Sequence, residues 1–341
     1  MIEAIAKLVK GQHLTESEAA EAFATIMRGD ATPAQIAGFL IGLRINGETV
    51  EEIAGMARTA REFAARPPVE AGGLLDVVGT GGDALGTFNI STLSAIVAAA
   101  AGARVAKHGN RAASSPCGSA DVLEALGVAI DLPPPAAARC LEEIGITFLF
   151  APVYHPSFRY AGVPRRELGV RTVFNILGPL CNPAGARRQA LGVADAALAR
   201  RMAEVLQRLG VDHVLVFHGE DGMDELTVTG PSQVIEVAGE SLKEYAIDPL
   251  ELGFGRAPLE AMRGGGPDVN ASIAREVLAG AEGPRRDIVL LNSAAALIAA
   301  GLAQDFREGI GLAVHAIDSD AAAEKLDAWI AVSQRAASIP A

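Results

Sequence analysis

The feature that most constrains the fold is a strand, a glycine-rich loop and a helix that follow one another twice in succession. Residues 74–78 (Leu-Leu-Asp-Val-Val) predict a buried strand that runs into a loop at 79–83 (Gly-Thr-Gly-Gly-Asp), and a helix is predicted over about 91–101. A second short strand at 104–106 leads into another polar loop and a helix over 119–126. Strands and helices that alternate in this way are typical of a mostly parallel sheet covered by helices.

The chain before these units is predicted to be helical. Thr15, Thr32 and Thr49 each stand three residues before a Glu or Gln, which is the spacing of a capping box at a helix N-terminus. A Pro-Pro pair at 67–68 ends the helical pattern. Because three short helices bury little apolar surface alone, we expect them to pack on the rest of the chain or on a second copy of it.

At roughly 150 residues per domain, a length of 341 residues predicts one large domain or two ordinary ones. We predict an α/β protein with a small all-helical N-terminal domain over residues 1–68 and a large α/β domain with a mostly parallel central sheet over residues 74–341. Residues 151–189 contain several Pro, Gly and Arg residues and predict an irregular connector with short helices. Part of 155–190 is expected to join the helical domain, and residues 268–341 are expected to be largely helical.

Charge and composition narrow the class of partner. The formal net charge is −12 and aromatic residues make up 4% of the chain. A general nucleic-acid binder is therefore disfavoured, because the chain repels phosphate backbones and has few rings to stack on bases. An anionic small molecule remains possible, provided that the chain builds a local cationic pocket.

Neither secretion nor membrane insertion is expected from the sequence. Three widely spaced cysteines, Cys117, Cys140 and Cys181, indicate neither a disulfide framework nor a zinc motif and favour a reducing compartment. The small-apolar run at 93–103 is too short to span a bilayer, and residues 1–10 lack the apolar core and the cleavage site of a signal peptide. We therefore expect a cytoplasmic protein of the size of an enzyme.

The loop at 79–83 has the composition of a phosphate-binding loop. Its glycines let backbone amides approach an anion without an intervening Cβ, and the N-terminus of the following helix points to the same place. The loop lacks the Gly-Lys-Ser/Thr of a P-loop. It satisfies a loose dinucleotide fingerprint, but the helix begins too late and the next strand ends in Lys107-His108 rather than in an acidic residue. A tight turn without a ligand is the other interpretation.

A second polar loop follows the second predicted strand. Residues 107–111 (Lys-His-Gly-Asn-Arg) are followed by Ser114, Ser115 and Ser119. Ligands in open α/β sheets bind at the carboxyl ends of neighbouring strands. Two cations, an amide and several hydroxyl groups at such a place predict a polyanion site, and a solvated loop before a helix is the alternative.

The adjacent carboxylates Asp224 and Glu225 follow a third predicted strand, over 211–217. In a loop both side chains can reach hard cations, and Mg²⁺ commonly takes one or two carboxylates together with waters and substrate phosphates. The pair predicts a magnesium site, whereas taken alone an acidic surface loop is the simpler interpretation.

Taken in order along the chain, these motifs closely resemble those of the anthranilate phosphoribosyltransferase family. The resemblance covers nearly the whole chain and rests on the segments 79–83, 87–92, 107–111, 118–127, 155–156, 165–169, 171–180, 182–183 and 224–226. It implies a nucleoside phosphorylase/phosphoribosyltransferase-like fold, in which a hinge joins the helical domain to the α/β domain, and a homodimer formed through the helical domain.

The activity that the resemblance implies is a transfer in tryptophan biosynthesis. The phosphoribosyl group passes from phosphoribosyl pyrophosphate (PRPP) to the amino group of anthranilate, which gives N-(5-phosphoribosyl)anthranilate and pyrophosphate. Mg²⁺ is the implied cofactor, with two ions expected. The implied partners are these two small-molecule substrates, with no nucleic acid and no membrane.

Carried over by position, the resemblance also implies three groups of site residues. The group expected to bind PRPP is Gly79, Gly82, Asp83, Thr87, Asn89, Ile90, Ser91, Thr92, Lys107, His108, Gly109, Asn110, Arg111, Ala112, Ala113, Ser114, Ser115 and Ser119. The group expected to contact anthranilate is Gly79, Asn110 and Arg165. The group expected to hold metal is Ser91, Asp224 and Glu225.

Some assignments and functions stay open at this point. Arg165 is expected to clamp the anthranilate carboxylate, but without the resemblance Arg166 and Arg171 are equally good candidates. His155 could line the same site or be satisfied by nearby backbone. The alternatives in function are a nucleoside phosphorylase-like enzyme, which the arginine segment and the acidic pair disfavour, and a non-catalytic nucleic-acid-binding paralogue, which the net charge disfavours.

Overall fold

A computed structural model describes residues 1–112 and 115–338 of the protein. Four helices form its N-terminal region. The hydroxyls of Thr15, Thr32 and Thr49 each accept a hydrogen bond from the amide three residues on, so the three predicted capping boxes are confirmed. The first helix has no such cap, and for this reason the capping pattern does not reveal it. The bounds are α1 Ile2–Val9, α2 Glu16–Arg28, α3 Pro33–Asn46 and α4 Val50–Glu62.

Seven strands form one sheet in the described part of the chain. Their bounds are β1 Leu74–Gly79, β2 Arg104–Gly109, β3 Ile146–Phe150, β4 Arg188–Gly192, β5 His213–Gly219, β6 Ser232–Ala238 and β7 Ser241–Ile247. The order across the sheet is β3-β2-β1-β4-β5-β6-β7. The first five strands pair in parallel, and the last two add to β5 as antiparallel strands. The predicted mostly parallel sheet is confirmed, while the sequence reasoning missed the antiparallel pair.

The remaining helices follow the strands and cover the sheet. The α-helices are α5 Ile90–Ala100, α6 Ser119–Leu126, α7 Pro134–Ile144, α8 Ala151–Tyr154, α9 Gly162–Leu168, α10 Phe174–Leu177, α11 Ala196–Arg208, α12 Pro267–Leu278, α13 Pro284–Ala300, α14 Phe306–Asp318 and α15 Ala321–Ala337. Short 3-10 helices lie at Pro156–Ala161, Gly178–Leu180, Pro249–Leu252 and Leu259–Met262. Both predicted glycine-loop units therefore exist, and the connector carries short helices as predicted.

Alternate residues of the central strands face opposite layers of the core. On β5, Leu215 and Phe217 pack with α5 and α13 on one face, whereas Val214 and Val216 pack on the other. The second layer also contains Phe23 of α2, so the N-terminal helices bury their apolar residues against the sheet and α11. Among the helices that the structure describes, none has both the length and the apolar character of a membrane span.

Helices α2 and α4 approach so closely that their contact requires a glycine. A Cβ atom built on Gly55 of α4 would overlap the carbonyl oxygen of Glu16 in α2. Gly38, in the middle of α3, is different, because the atoms nearest to its Cβ would lie 3.8 Å away on Ile5. These two glycines differ in the room around them although both lie inside helices.

We predict that Gly55→Ala lowers the free energy of unfolding by about 1–3 kcal/mol, since the helices must separate to admit the methyl group. Gly38→Ala, the matched control, should raise it by about 0.5–1 kcal/mol through the better helix propensity of alanine. Urea unfolding followed by circular dichroism measures both. Equal effects of the two substitutions would contradict the close packing of α2 on α4.

Candidate active site

Three chain segments meet at the carboxyl ends of β1, β4 and β5. Gly79 ends β1, Gly192 ends β4, and Asp224 lies in the loop after β5. The carboxylate of Asp224 accepts a 2.7 Å hydrogen bond from the amide of Gly81. A Cβ on Gly79 would clash with the Asp224 carboxylate, and a Cβ on Gly192 would clash with the Asp224 backbone. The missing side chains therefore let the glycine loop rest directly on the acidic loop.

Glu225 connects the acidic loop to α5, the helix that follows the glycine loop along the chain. One of its carboxylate oxygens accepts a 3.0 Å hydrogen bond from the amide of Ser91, in the first turn of α5. A carboxylate at this end of a helix is stabilised by the helix dipole. The ammonium of Lys107 donates to the Ser91 hydroxyl at 3.4 Å and to the carbonyl of Val77. The structure thus brings the three residues of the predicted metal group together with the lysine of the second loop.

The charged groups of this site are buried, and carboxylates outnumber cations among them. Burial, and then the charge of the nearby Asp83 carboxylate, raise the pKa of Asp224 to about 6. Burial and then the charge of Asp224 raise the pKa of Glu225 well above its usual range. Burial lowers the pKa of Lys107, which Asp76 and Glu225 oppose. Like charges crowded in this way favour the binding of a cation.

The donor set at the acidic loop fits a hard divalent cation. The Oδ2 atom of Asp83 is buried and has no hydrogen-bond partner within the described residues. Together with Asp224, Glu225 and the Ser91 hydroxyl it offers only oxygen atoms, which are the ligands that Mg²⁺ prefers. The residues present therefore fit Mg²⁺.

Two predicted residues of α5 turn their side chains into the core. Ile90 and Thr92 are 1% and 0% exposed. Their amides are also engaged, since that of Ile90 donates to the carbonyl of Phe88 at 2.8 Å and that of Thr92 to the carbonyl of Asn89 at 3.1 Å. A ligand could therefore bind these residues only through their backbone amides, and it would have to replace the hydrogen bonds that those amides now make.

The second predicted loop folds back onto the N-terminus of α6. The hydroxyl of Ser119 donates to the carbonyl of Asn110 at 3.2 Å. The amides of Ala112 and Gly118 both donate to the carboxylate of Asp121 at 2.9 Å. A Cβ on Gly109 would clash with the Ser119 hydroxyl. Ala113 and Ser114 of the predicted group lie outside the described residues.

The two cations of the second loop have different positions. Lys107 is buried beside the acidic pair, whereas Arg111 forms ion pairs with Asp121 and Glu124 and its side chain is 43% exposed. Arg111 therefore pairs with acidic residues of α6, the helix that follows its loop.

Further bonds connect the second loop and the C-terminal helices to the first loop. The amide group of Asn89 donates to the carbonyl of Cys117 at 3.2 Å, and the carbonyl of its side chain accepts from Asn270 at 2.8 Å. The hydroxyl of Ser115 donates to the same Cys117 carbonyl. Thr87 forms an isolated antiparallel bridge with Arg263. Hydrogen bonds of Asn89 thus connect the first loop both to the second loop and to α12.

Arg165 lies apart from the loops, on α9, beside a group of aromatic rings. Its guanidinium is 4.9 Å from the centroid of the Phe174 ring. Within the described residues its side chain forms no ion pair, and burial lowers its pKa. Phe158 contacts Phe174 edge-on at 5.3 Å and stacks on His155 at 4.9 Å. A half-buried guanidinium without a carboxylate partner is suited to bind an anionic group of a ligand.

The sequence reasoning missed two residues that hold the site together. Asp76, on β1, is 1% exposed, accepts a 3.1 Å bond from the His108 amide, and has its pKa raised to about 6 by burial. An acid inside an otherwise apolar strand is the signal that could have identified it. The sequence analysis treats Arg171 only as a possible partner of the anthranilate carboxylate, but its guanidinium donates to the carbonyl of Gly82 at 3.3 Å. No sequence pattern indicates that contact.

Two family models match the chain. The model described as "Glycosyl transferase family, helical bundle domain" matches residues 2–64, and "Glycosyl transferase family, a/b domain" matches residues 71–323. Among curated proteins, anthranilate phosphoribosyltransferase 2 of Streptomyces coelicolor is 57% identical over 324 residues, which are 95% of this chain and 97% of the relative.

Solved structures agree with these matches. The crystal structure of anthranilate phosphoribosyltransferase from Thermus thermophilus has a TM-score of 0.92 at 49% identity and covers 97% of this chain and 99% of its own. The enzyme from Saccharomyces cerevisiae in complex with PRPP and Mg has a TM-score of 0.89 at 28% identity and covers 98% of each chain. The family resemblance read from the motifs is confirmed, and the chain belongs to the anthranilate phosphoribosyltransferase family of glycosyl transferases.

Proposed function

We infer that the chain transfers the phosphoribosyl group of PRPP to the amino group of anthranilate in tryptophan biosynthesis. The observation that carries this function is the contact of Asp224 with the glycine loop, next to the contact of Glu225 with Ser91. An amide-lined loop beside buried carboxylates is what a magnesium-bound diphosphate requires. The yeast relative with PRPP and Mg bound supports both the substrate and the ion.

The metal group of the sequence analysis is proposed to hold Mg²⁺, and two ions are proposed. Asp224 and Glu225 point to different neighbours, Gly81 and Ser91, so the two carboxylates can serve separate ions. When bound, Mg²⁺ neutralises charge that develops on the departing pyrophosphate. Asp83, with its unpartnered oxygen, is the third acid within reach of this place.

Both glycine loops are proposed to bind PRPP. The first loop would contribute Gly79, Gly82 and Asp83, and the second would contribute residues 107–115 with Ser119. Lys107 supports this proposal because its ammonium lies beside Ser91, where it would place a positive charge near the diphosphate. For Arg111 the proposal requires that its guanidinium leave Glu124, which is possible because that pair is exposed and exposed pairs contribute little stability.

Transfer to the amine depends more on the positioning of the two reactants than on acid–base chemistry. The aromatic amine of anthranilate is neutral at pH 7, so no strong base has to act before it attacks the anomeric carbon. We propose that Arg165 holds the carboxylate of anthranilate and that Gly79 and Asn110 contact its other end. The rings of Phe158 and Phe174 supply apolar surface near that clamp. Holding both reactants in place contributes much of the rate enhancement of such a reaction.

The domain organisation is proposed as the sequence analysis drew it. The helical domain spans 1–68, and part of 155–190 joins it, since Ala161, Val173 and Phe174 pack in the same cluster as α2 and α4. The α/β domain spans 74–341. A cytoplasmic location is proposed because Cys117, Cys140 and Cys181 are all free thiols, as a reducing compartment favours.

A homodimer through the helical domain is also proposed. The support is a set of large apolar side chains exposed on its surface: Ile2 is 72%, Val9 is 79% and Ile45 is 78% exposed. The amide group of Asn46 donates to the carbonyl of Leu8 at 3.0 Å, which holds the end of α3 against the end of α1. Exposed apolar residues that lie near one another mark surfaces for protein contact.

We predict that Asp224→Asn lowers kcat/KM by about 10²-fold or more, because a charge that supports the leaving group is lost. The assay is the decrease of anthranilate fluorescence with PRPP and Mg²⁺, and chelation of Mg²⁺ should stop turnover of the unmodified protein. Glu220→Gln, which removes an exposed acid from the same loop, is the control and should leave the rate unchanged. Turnover by the unmodified protein without divalent ions would refute the magnesium site.

We predict that Arg165→Ala raises the KM for anthranilate by about 10- to 150-fold, since hydrogen bonds to charged groups contribute about 1.5–3 kcal/mol. The KM for PRPP should change little. Arg166→Ala, at the exposed neighbouring position, is the control and should alter neither constant. Equal changes in both KM values for Arg165→Ala would reject the clamp.

We predict that Ile45→Lys shifts the protein from dimer to monomer in sedimentation velocity, because it places a charge in the proposed apolar interface. Val269→Lys is the control, since Val269 is an equally apolar residue that is 53% exposed on α12 of the α/β domain. An unmodified protein that sediments as a monomer, or a dimer that Ile45→Lys leaves intact, would exclude this interface.

A further inference from the structure

Three side chains of metal-binding type converge beside the aromatic rings near Arg165. His108 lies near the end of β2, His155 follows α8, and Cys181 follows the 3-10 helix Gly178–Leu180. A ring nitrogen of each histidine and the Sγ of Cys181 all lie within 4.8 Å of one another. The three residues are 3%, 3% and 0% exposed. Three buried ligands from separate segments therefore face a common point.

Each imidazole has one buried nitrogen without a hydrogen-bond partner within the described residues. The Nδ1 of His108 lies 3.1 Å from the carbonyl oxygen of Gly178. The Nε2 atoms of both rings are buried and have no partner within the described residues. His108 is thus held as metal-binding histidines commonly are, with one ring nitrogen on a backbone carbonyl and the other left for the ion.

The protonation states also suit a metal. Burial, and then the charge of His155, lowers the pKa of His108 to about 3, and burial lowers that of His155 to about 4, so both rings are neutral at pH 7. Burial raises the pKa of the Cys181 thiol to about 12. A bound cation would take the thiolate and release one proton to solvent, with no change of oxidation state. Two imidazoles and a thiolate select Zn²⁺ over Mg²⁺.

We propose that His108, His155 and Cys181 form a binding site for a thiophilic divalent cation, Zn²⁺ in the first instance, separate from the carboxylate site for Mg²⁺. Three protein ligands leave a fourth position for water. His155 stacks on Phe158, which in turn contacts Phe174 beneath Arg165. If the proposed function holds, a cation at this site lies next to the anthranilate position, and Zn²⁺ raises the KM for anthranilate more than the KM for PRPP.

The test is titration of the purified metal-free protein with Co²⁺ alone, which replaces Zn²⁺ and absorbs light when a thiolate binds it. We expect one equivalent to bind with a thiolate-to-cobalt absorption band in the near ultraviolet, and Zn²⁺ to displace it. Cys181→Ser should abolish the band. Cys140→Ser is the matched control, because Cys140 is also 0% exposed but lies on α7 in a different cluster.

A second variant keeps the test decisive if Cys181→Ser does not fold. His155→Gln should retain the band and weaken Co²⁺ binding at least about tenfold. Absence of the band in the unmodified protein, or a band that survives in Cys181→Ser, would overturn the site. The titration contains neither PRPP nor anthranilate, so a negative result would not argue against the proposed transferase function. Likewise, a lack of turnover would not argue against metal binding at this site.

Discussion

The contact of Asp224 with the ends of β1 and β4 is the constraint on which the rest of the site depends. Parallel strands bring Gly79 and Gly192 to one edge of the sheet, and only the absence of side chains at both allows the acidic loop to reach the glycine loop. The amide of Gly81 then fixes the carboxylate at 2.7 Å. This contact would place a diphosphate and its cation together, because the amides that would bind one lie directly beside the oxygens that would bind the other.

Close to that contact lie buried charged groups that stabilise one another. The charges of Asp76 and Glu225 favour the charged form of Lys107, whose ammonium would be costly to bury without them. Asp76 in turn accepts a bond from the His108 amide, so it ties β1 to the strand that carries the second loop. The geometry of both loops therefore rests on residues that do not themselves reach the surface. A site in which charge must be neutralised as pyrophosphate leaves benefits from such rigidity, because little has to reorganise during the reaction.

The sequence was most informative where the deciding interactions are local. The capping boxes at Thr15, Thr32 and Thr49 depend on residues three apart, and the two strand–loop–helix units depend on patterns within about thirty residues. The family motifs added a set of expected site residues. Long-range contacts are different in kind. Nothing in the sequence indicates that Arg171 reaches Gly82 or that His155 meets Cys181, and Arg111 binds Glu124 rather than facing the acidic pair.

The placement of the diphosphate is the claim on which the mechanism depends. The most direct measurement is a crystal structure of this protein with PRPP and Mn²⁺, which replaces Mg²⁺ and can be located by its anomalous signal. We predict that the diphosphate lies on the loop at 79–83 and that the ion is coordinated by oxygens of Asp224 and Glu225. A donor bound away from the glycine loop, or an ion that touches neither carboxylate, would contradict the account.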